Sequence, residues 1–147
     1  MTVPYRGAAP AVQDLMGGQI DLMFDQASNA LPQIRAGAIK AIVNMSPQRS
    51  GAIPDIPTSD ESGVPGLYMS GWFGLFAPKA TPRAIIARLN DALVEALADP
   101  KVRMRFAELG LDIAPRVQQT PAGLAAFHKA EIEKWWPIIK DAGIRGE

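Results

Sequence analysis

Three consecutive pieces decide the fold reading: Val3-Pro4-Tyr5-Arg6-Gly7-Ala8-Ala9-Pro10, then Gly17-Gly18-Gln19-Ile20-Asp21-Leu22-Met23-Phe24-Asp25, then Ala30-Leu31-Pro32-Gln33-Ile34-Arg35-Ala36-Gly37. They read as loop, helix, strand and helix. Gly7 to Pro10 supplies a turn and a proline suited to the first turn of a helix. Ala11, Val12, Leu15 and Met16 mark its apolar face, and Gly17-Gly18 ends it. Ile20 to Phe24 reads as a short buried strand. Asp25 or Ser28 is placed to cap the next helix, whose apolar positions Ala30, Leu31 and Ile34 run to Gly37. Ile39 to Val43 is a second short apolar run. Strands separated by helices of this length predict βαβ units, a parallel sheet and an α/β fold.

The texture then changes. Pro47, Pro54, Pro57 and Pro65, with Gly51, Gly63 and Gly66, mark a long loop from Ser46 to Gly66. Within it Thr58-Ser59-Asp60-Glu61 predicts one capped helical turn. Leu67 to Pro78 is aromatic, glycine-rich and extended. Pro82 opens an amphipathic helix with Ile85, Ile86, Leu89, Leu93, Val94 and Leu97 on one stripe. A shorter helix covers Val102 to Leu109, Leu111 to Ala114 reads as a strand, and Thr120-Pro121 caps a last helix reaching Gly143. A seam lies near Gly66 to Tyr68.

Composition excludes several functions. The 147 residues carry fifteen basic and fifteen acidic side chains, so formal charge is zero and no basic run builds a nucleic-acid patch. There is no cysteine and a single histidine, His128. Disulfides, thiolate metal sites and multi-histidine zinc centres are therefore ruled out. Nucleophile elbow, phosphate loop and metal cluster are all missing from the sequence, which argues against an enzyme and calls for no cofactor. No apolar run approaches the roughly 20 residues that span a bilayer. No basic and apolar N-terminal pattern of a secretory signal is expected from the opening residues.

The segments VPYRGAAPAVQDLMGGQIDLMFD, SNALPQIRAGAIKAI, SPQRS, IPDIPT, SGWFGLFAP, TPRAIIARLN and WWPIIKDAGI together resemble the Bug, or TctC-like, family. Its members are extracytoplasmic solute-binding receptors of tripartite tricarboxylate transporters. The resemblance covers nearly the whole chain. It implies an α/β, type II periplasmic-binding-protein (Venus-flytrap) fold, and only the C-terminal half of one. Residues 1–66 would be the remainder of lobe 2. Residues 67–147 would be the hinge-return strand and the C-terminal helices of lobe 1. It further implies a periplasmic location, a small organic carboxylate as ligand and membrane transporter subunits as partners. A missing N-terminal half, or self-association, would complete the fold. The alternative is a non-binding fragment, or a split half that works only with an N-terminal partner.

The first loop offers a candidate carboxylate site, which the resemblance favours because it would put this loop at the cleft-facing end of lobe 2. Tyr5, Gly7, Ala8 and Ala9 precede or open a helix whose backbone N–H groups and dipole face an anion. An ordinary strand-to-helix turn would look the same. Arg6 reads equally as a bidentate carboxylate partner or a solvated side chain. Asp25 and Ser28 sit where a strand ends, the usual position for ligand contacts in α/β sheets, and serve equally well as helix caps. Asp21 and Asp25 share a strand face without further catalytic groups. Trp72, Phe73 and Phe76 read as hinge and core packing, and His128 as a surface residue. Of Trp135 and Trp136, one is expected to pack and the other to stay uncovered. Pro137 is expected to kink the last helix or start a new turn.

Overall fold

Helices form wherever small or straight-chain apolar residues recur at helical spacing between glycine or proline punctuation. In the computed structural model, which describes residues 1–144, they are α1 (Ala8–Met16), α2 (Ala27–Arg35), α3 (Arg83–Ala98), α4 (Pro100–Glu108) and α5 (Pro121–Asp141). A short 3-10 turn, Arg116–Gln118, precedes α5. Pro10 is the third residue of α1, where no intrahelical N–H bond is lost. The helix closes where Gly18 N and Gln19 N return to the carbonyls of Leu15 and Asp14, the paired bonds of a Schellman ending. The same pairing ends α2 at Gly37 and Ala38.

The α/β fold does not form. Every regular element among the described residues is helical, and the one strand-like pairing is an isolated parallel bridge between Asn44 and Thr58. The expected parallel sheet, and with it the partial Venus-flytrap architecture, is thus corrected. A strand is a property of two segments sharing a ladder. Residues 20–24 and 39–43 form no ladder with each other, and Leu22, Phe24 and Ile42 stay exposed, Phe24 at 67%. Residues 111–114 are irregular for the same reason. Apolar run length reports a segment's own chemistry and is silent on whether a neighbour is present.

The described residues divide into two compact units. The first comprises Met1–Trp72 and Arg103–Asp112. Its core is small: Ala11 and Val12 of α1, Leu31 of α2 at 1% exposure, and the polar pair Thr58 and Ser59. Gly110, at φ +68°, lies against Leu31; a Cβ there would stand 2.7 Å from Leu31 Cδ1 and 3.2 Å from Ala27 Cβ. The residue is thus fixed as glycine by both its backbone angle and its neighbour.

The loop 44–68 belongs to this unit and is held by polar contacts. Asn44 N donates to the Pro57 carbonyl and Ser59 N to the Asn44 carbonyl, at 2.8 and 3.1 Å. Thr58 and Glu61 form a reciprocal capping box: Glu61 N donates to Thr58 Oγ1 and Thr58 N to Glu61 Oε2, at 3.3 and 2.8 Å. Ser62 N reaches the Thr58 carbonyl at 3.0 Å, closing the single helical turn. Arg49 braces it by an ion pair to Glu61 at 2.9 Å and a bond to the Pro54 carbonyl. Buried Ser59 Oγ donates to the Leu67 carbonyl.

The second unit comprises Phe73–Val102 and the chain from Ile113. Thr120 caps α5, its Oγ1 accepting from Gly123 N at 2.9 Å. Gly123 lies tight on the 3-10 turn, where a Cβ would meet the Val117 carbonyl at 2.8 Å. Asn90 Nδ2 ties α3 to the Gln119 carbonyl. Phe76 and His128 meet edge to face at 5.8 Å, so His128 is half-buried packing rather than a surface group. Trp135 donates to Glu131, whereas Trp136 is 65% exposed. The α5 helix runs through Pro137 without interruption. No described residue of α3, α4 or α5 is buried.

Candidate functional site

The residues singled out in the sequence lie at the starts of two helices of the first unit. Gly7 is the N-cap of α1, at φ +106° and ψ 172°, a combination open essentially to glycine alone. The cap has no side-chain hydrogen bond and the first turn has no acidic residue. The N–H groups of Ala8 and Ala9 are among those a helix leaves without an internal partner. Pro10 contributes none. What remains is a small donor pair at the positive end of a helix dipole, with methyl side chains that leave the backbone accessible.

Tyr5 flanks this mouth. Its hydroxyl donates to Asp14 Oδ2 at 2.7 Å, folding the entry segment back along α1. That hydrogen bond, assisted by burial and by the Asp14 charge, raises the phenol pKa and keeps the hydroxyl protonated. Tyr5 is therefore a brace for the loop, with its donor already used. Sequence spacing gave no hint of the pairing, because Tyr5 lies before the helix that carries Asp14. Arg6 is exposed.

The second cluster opens α2. Gln26 is the N-cap, with no side-chain cap bond, and Ala27 and Ser28 are the first two helical residues. Neither Asp25 nor Ser28 is the N-cap residue. Asp25 Oδ1 accepts from Gln26 N at 2.8 Å and from Asn29 Nδ2 at 3.1 Å. Asp25 Oδ2 is buried, and no donor among the described residues reaches it. A buried acceptor left in that state costs about 1–3 kcal/mol, so such an atom calls for an explanation. Pro32, within α2, supplies no N–H to the Ser28 carbonyl one turn before it.

Tyr5, Gly7, Ala8 and Ala9 thus gather at one helix entrance, and Asp25 and Ser28 at another. Both entrances lie in the first unit, and no hydrogen bond among the described residues joins them. Nor do the described residues gather three metal-ligating side chains.

Residues 1–144 match the tripartite tricarboxylate transporter family receptor. The chain belongs to that family. It is 43% identical over 141 residues to the UPF0065 protein of the TAR-I ttuE-ttuC' intergenic region of Agrobacterium vitis, covering 96% of this chain and 41% of that one. Among solved structures, it is similar to MatC of Rhodopseudomonas palustris with bound malate, at 42% identity and a TM-score of 0.86, over 93% of this chain and 47% of MatC. It is also similar to the periplasmic binding protein BugD, at 39% identity and a TM-score of 0.88, over 100% of this chain and 49% of BugD. The chain therefore spans about two-fifths to one-half of these relatives. The matched family is one of transporter receptors, not of enzymes.

Proposed function

We propose that this chain is a solute-binding component for small organic carboxylates, held by the backbone donors of Gly7, Ala8 and Ala9 with Asp25 and Ser28 contributing from the start of α2. The observation that carries the reading is the open entrance of α1. A glycine at φ +106°, an uncapped N-terminus and a first turn free of acidic side chains together leave donors aimed outward in the helix field. The malate bound to its relative MatC is a ligand of this chemical class. We extend the reading to delivery to membrane transporter subunits in the periplasm, which the family and the likeness to the periplasmic binding protein BugD support.

A thermal-shift series against di- and tricarboxylates tests the reading. Occupied sites raise the transition by mass action. We expect a rise for dicarboxylates that Gly7→Ala abolishes, because alanine does not tolerate that backbone angle. No rise for any carboxylate at about 10 mM, some tenfold above a millimolar Kd, contradicts it.

A second reading accompanies it: the chain acts as half of a receptor, completed by polypeptide corresponding to the part of the relatives that it does not span. Surface area supports this. The accessible surface is 11436 Å² for 15.8 kDa. Two separate globules sharing that mass would expose about 8,800 Å² in total. The excess, about 2,600 Å² on this chain, corresponds to about 5,200 Å² counted over both partners, at the upper end of obligate interfaces. On this reading the chain alone binds carboxylates weakly, with Kd of about 1 mM. A micromolar affinity for the isolated chain contradicts the second reading and leaves the first standing.

A further inference from the structure

The run Ile39-Lys40-Ala41-Ile42-Val43 has the chemistry of a strand and no ladder partner among the described residues. Burial alternates along it. Lys40 and Ile42 are exposed, Ile42 at 61%, while Ile39, Ala41 and Val43 are half-buried. That period of two belongs to a pleated segment with one face against its own unit. The run is held just past its end. Asn44 N donates to the Pro57 carbonyl, the Asn44 carbonyl accepts from Ser59 N, and the Met45 carbonyl accepts from Met69 N. Before those anchors, no backbone hydrogen bond among the described residues engages residues 39–43. Unpaired N–H and C=O groups along such a run are a template for a strand from another chain.

We infer that a second copy of this chain supplies that strand, residues 39–43 of the two copies pairing antiparallel about Ala41. Register, charge and area select this occupant. Antiparallel pairing of the run with itself sets Ala41 against Ala41, Ile39 against Val43 and Lys40 against Ile42. No like charges meet, and the lysine stem covers the partner's isoleucine. The chain's formal charge is zero, so two copies approach without net repulsion. A standard interface takes about 800 Å² from each partner. The excess surface of this chain, roughly 2,600 Å², contains that several times over. The occupant is a second copy and not the part of the relatives that the chain does not span, so this inference and the half-receptor reading fail separately.

Sedimentation equilibrium of the 147-residue chain between about 1 and 200 μM reads its mass. We expect the mass to rise from 15.8 kDa toward twice that value, with a dimer Kd of about 10 μM. Ile42→Lys and Ile42→Glu remove the same exposed side chain. The first sets a lysine against the partner's Lys40, the second a glutamate. With two symmetry-related pairs per dimer, Ile42→Lys should dimerise about tenfold more weakly than Ile42→Glu. Adding Lys40→Glu to Ile42→Lys restores opposite charges and should recover the Ile42→Glu affinity. Both positions are exposed, so the circular dichroism of the helices should stay that of the natural chain. A natural chain that remains at 15.8 kDa throughout overturns the inference and leaves the half-receptor reading standing. A dimer that the two Ile42 variants weaken equally overturns pairing through residues 39–43. Growth beyond the dimer overturns it as well, because a twofold contact closes on itself.

Discussion

At the scale of single residues, two glycines do opposite work. Gly7 has open space around its missing side chain, so alanine there is opposed by the backbone angle alone. Gly110 is opposed by its angle and by Leu31 Cδ1 at 2.7 Å. Gly110→Ala should destabilise the first unit by about 2 kcal/mol, combining strain with overpacking, and denaturant unfolding will measure it. Gly7→Ala should leave the core intact and act on ligand binding. The sequence reading reached Gly7, Ala8 and Ala9 because a small-residue turn before a helix announces itself locally. It did not reach Gly110 as a core position, which depends on a neighbour 79 residues away in the chain.

At the scale of elements, caps and ion pairs set the stability of short structures. Thr120→Ala should cost about 1 kcal/mol of α5 stability and Thr120→Ser very little, as thermal unfolding of the pair would show. The capping box at Thr58 to Glu61 carries a pH signature. The Arg49 hydrogen bond, followed by the Thr58 backbone bond, lowers the Glu61 pKa. A depressed carboxyl contributes stability that is complete above its ordinary pKa and is lost as pH falls through the lowered one. Amide exchange at Ser62 and Gly63 should therefore quicken on acidification, and Glu61→Gln should remove that dependence. Tyr5 and Tyr68 run the other way. Each phenol is raised chiefly by donating to a carboxylate, Asp14 and Asp60 respectively, the latter at 2.6 Å. Their contributions are complete below pH 10 and are lost as pH climbs through the raised values.

The helices and caps were legible because their signals are local. Pro82 precedes α3, and Thr120-Pro121 opens α5, where the sequence places them. The α3 stripe was legible too, yet Ile85 and Leu89 on it remain exposed. A stripe shows that a helix has an apolar face and does not say what covers it. The strands failed for the same reason. Ile20 to Phe24 and Ile39 to Val43 have strand composition, but among the described residues they find no ladder partner. The Tyr5 to Asp14 bond and the orphaned Asp25 oxygen are three-dimensional facts with no periodic trace.

At the scale of the whole molecule, surface outweighs core. Only Ala11, Val12 and Leu31 are buried apolar residues among those described, while Phe73, Phe76 and Trp136 of the second unit stay more than half exposed. So little buried apolar area cannot offset the chain entropy of 147 residues with much to spare. The chain on its own should unfold at low denaturant with a shallow transition. Supplying the complementary portion of a relative such as BugD should raise the midpoint and reduce dye binding to apolar surface. An unchanged midpoint, with both polypeptides remaining separate on gel filtration, counts against the half-receptor reading.

The claim at the centre is that a small carboxylate is held by backbone donors at two helix entrances of the first unit. The most direct measurement is an amide chemical-shift titration of the isotopically labelled chain with malate. The account predicts saturable shifts concentrated at Gly7, Ala8, Ala9, Ala27 and Ser28, with the second unit unmoved. Shifts confined to other residues, or none at 10-millimolar ligand (about tenfold over the expected Kd), would contradict it.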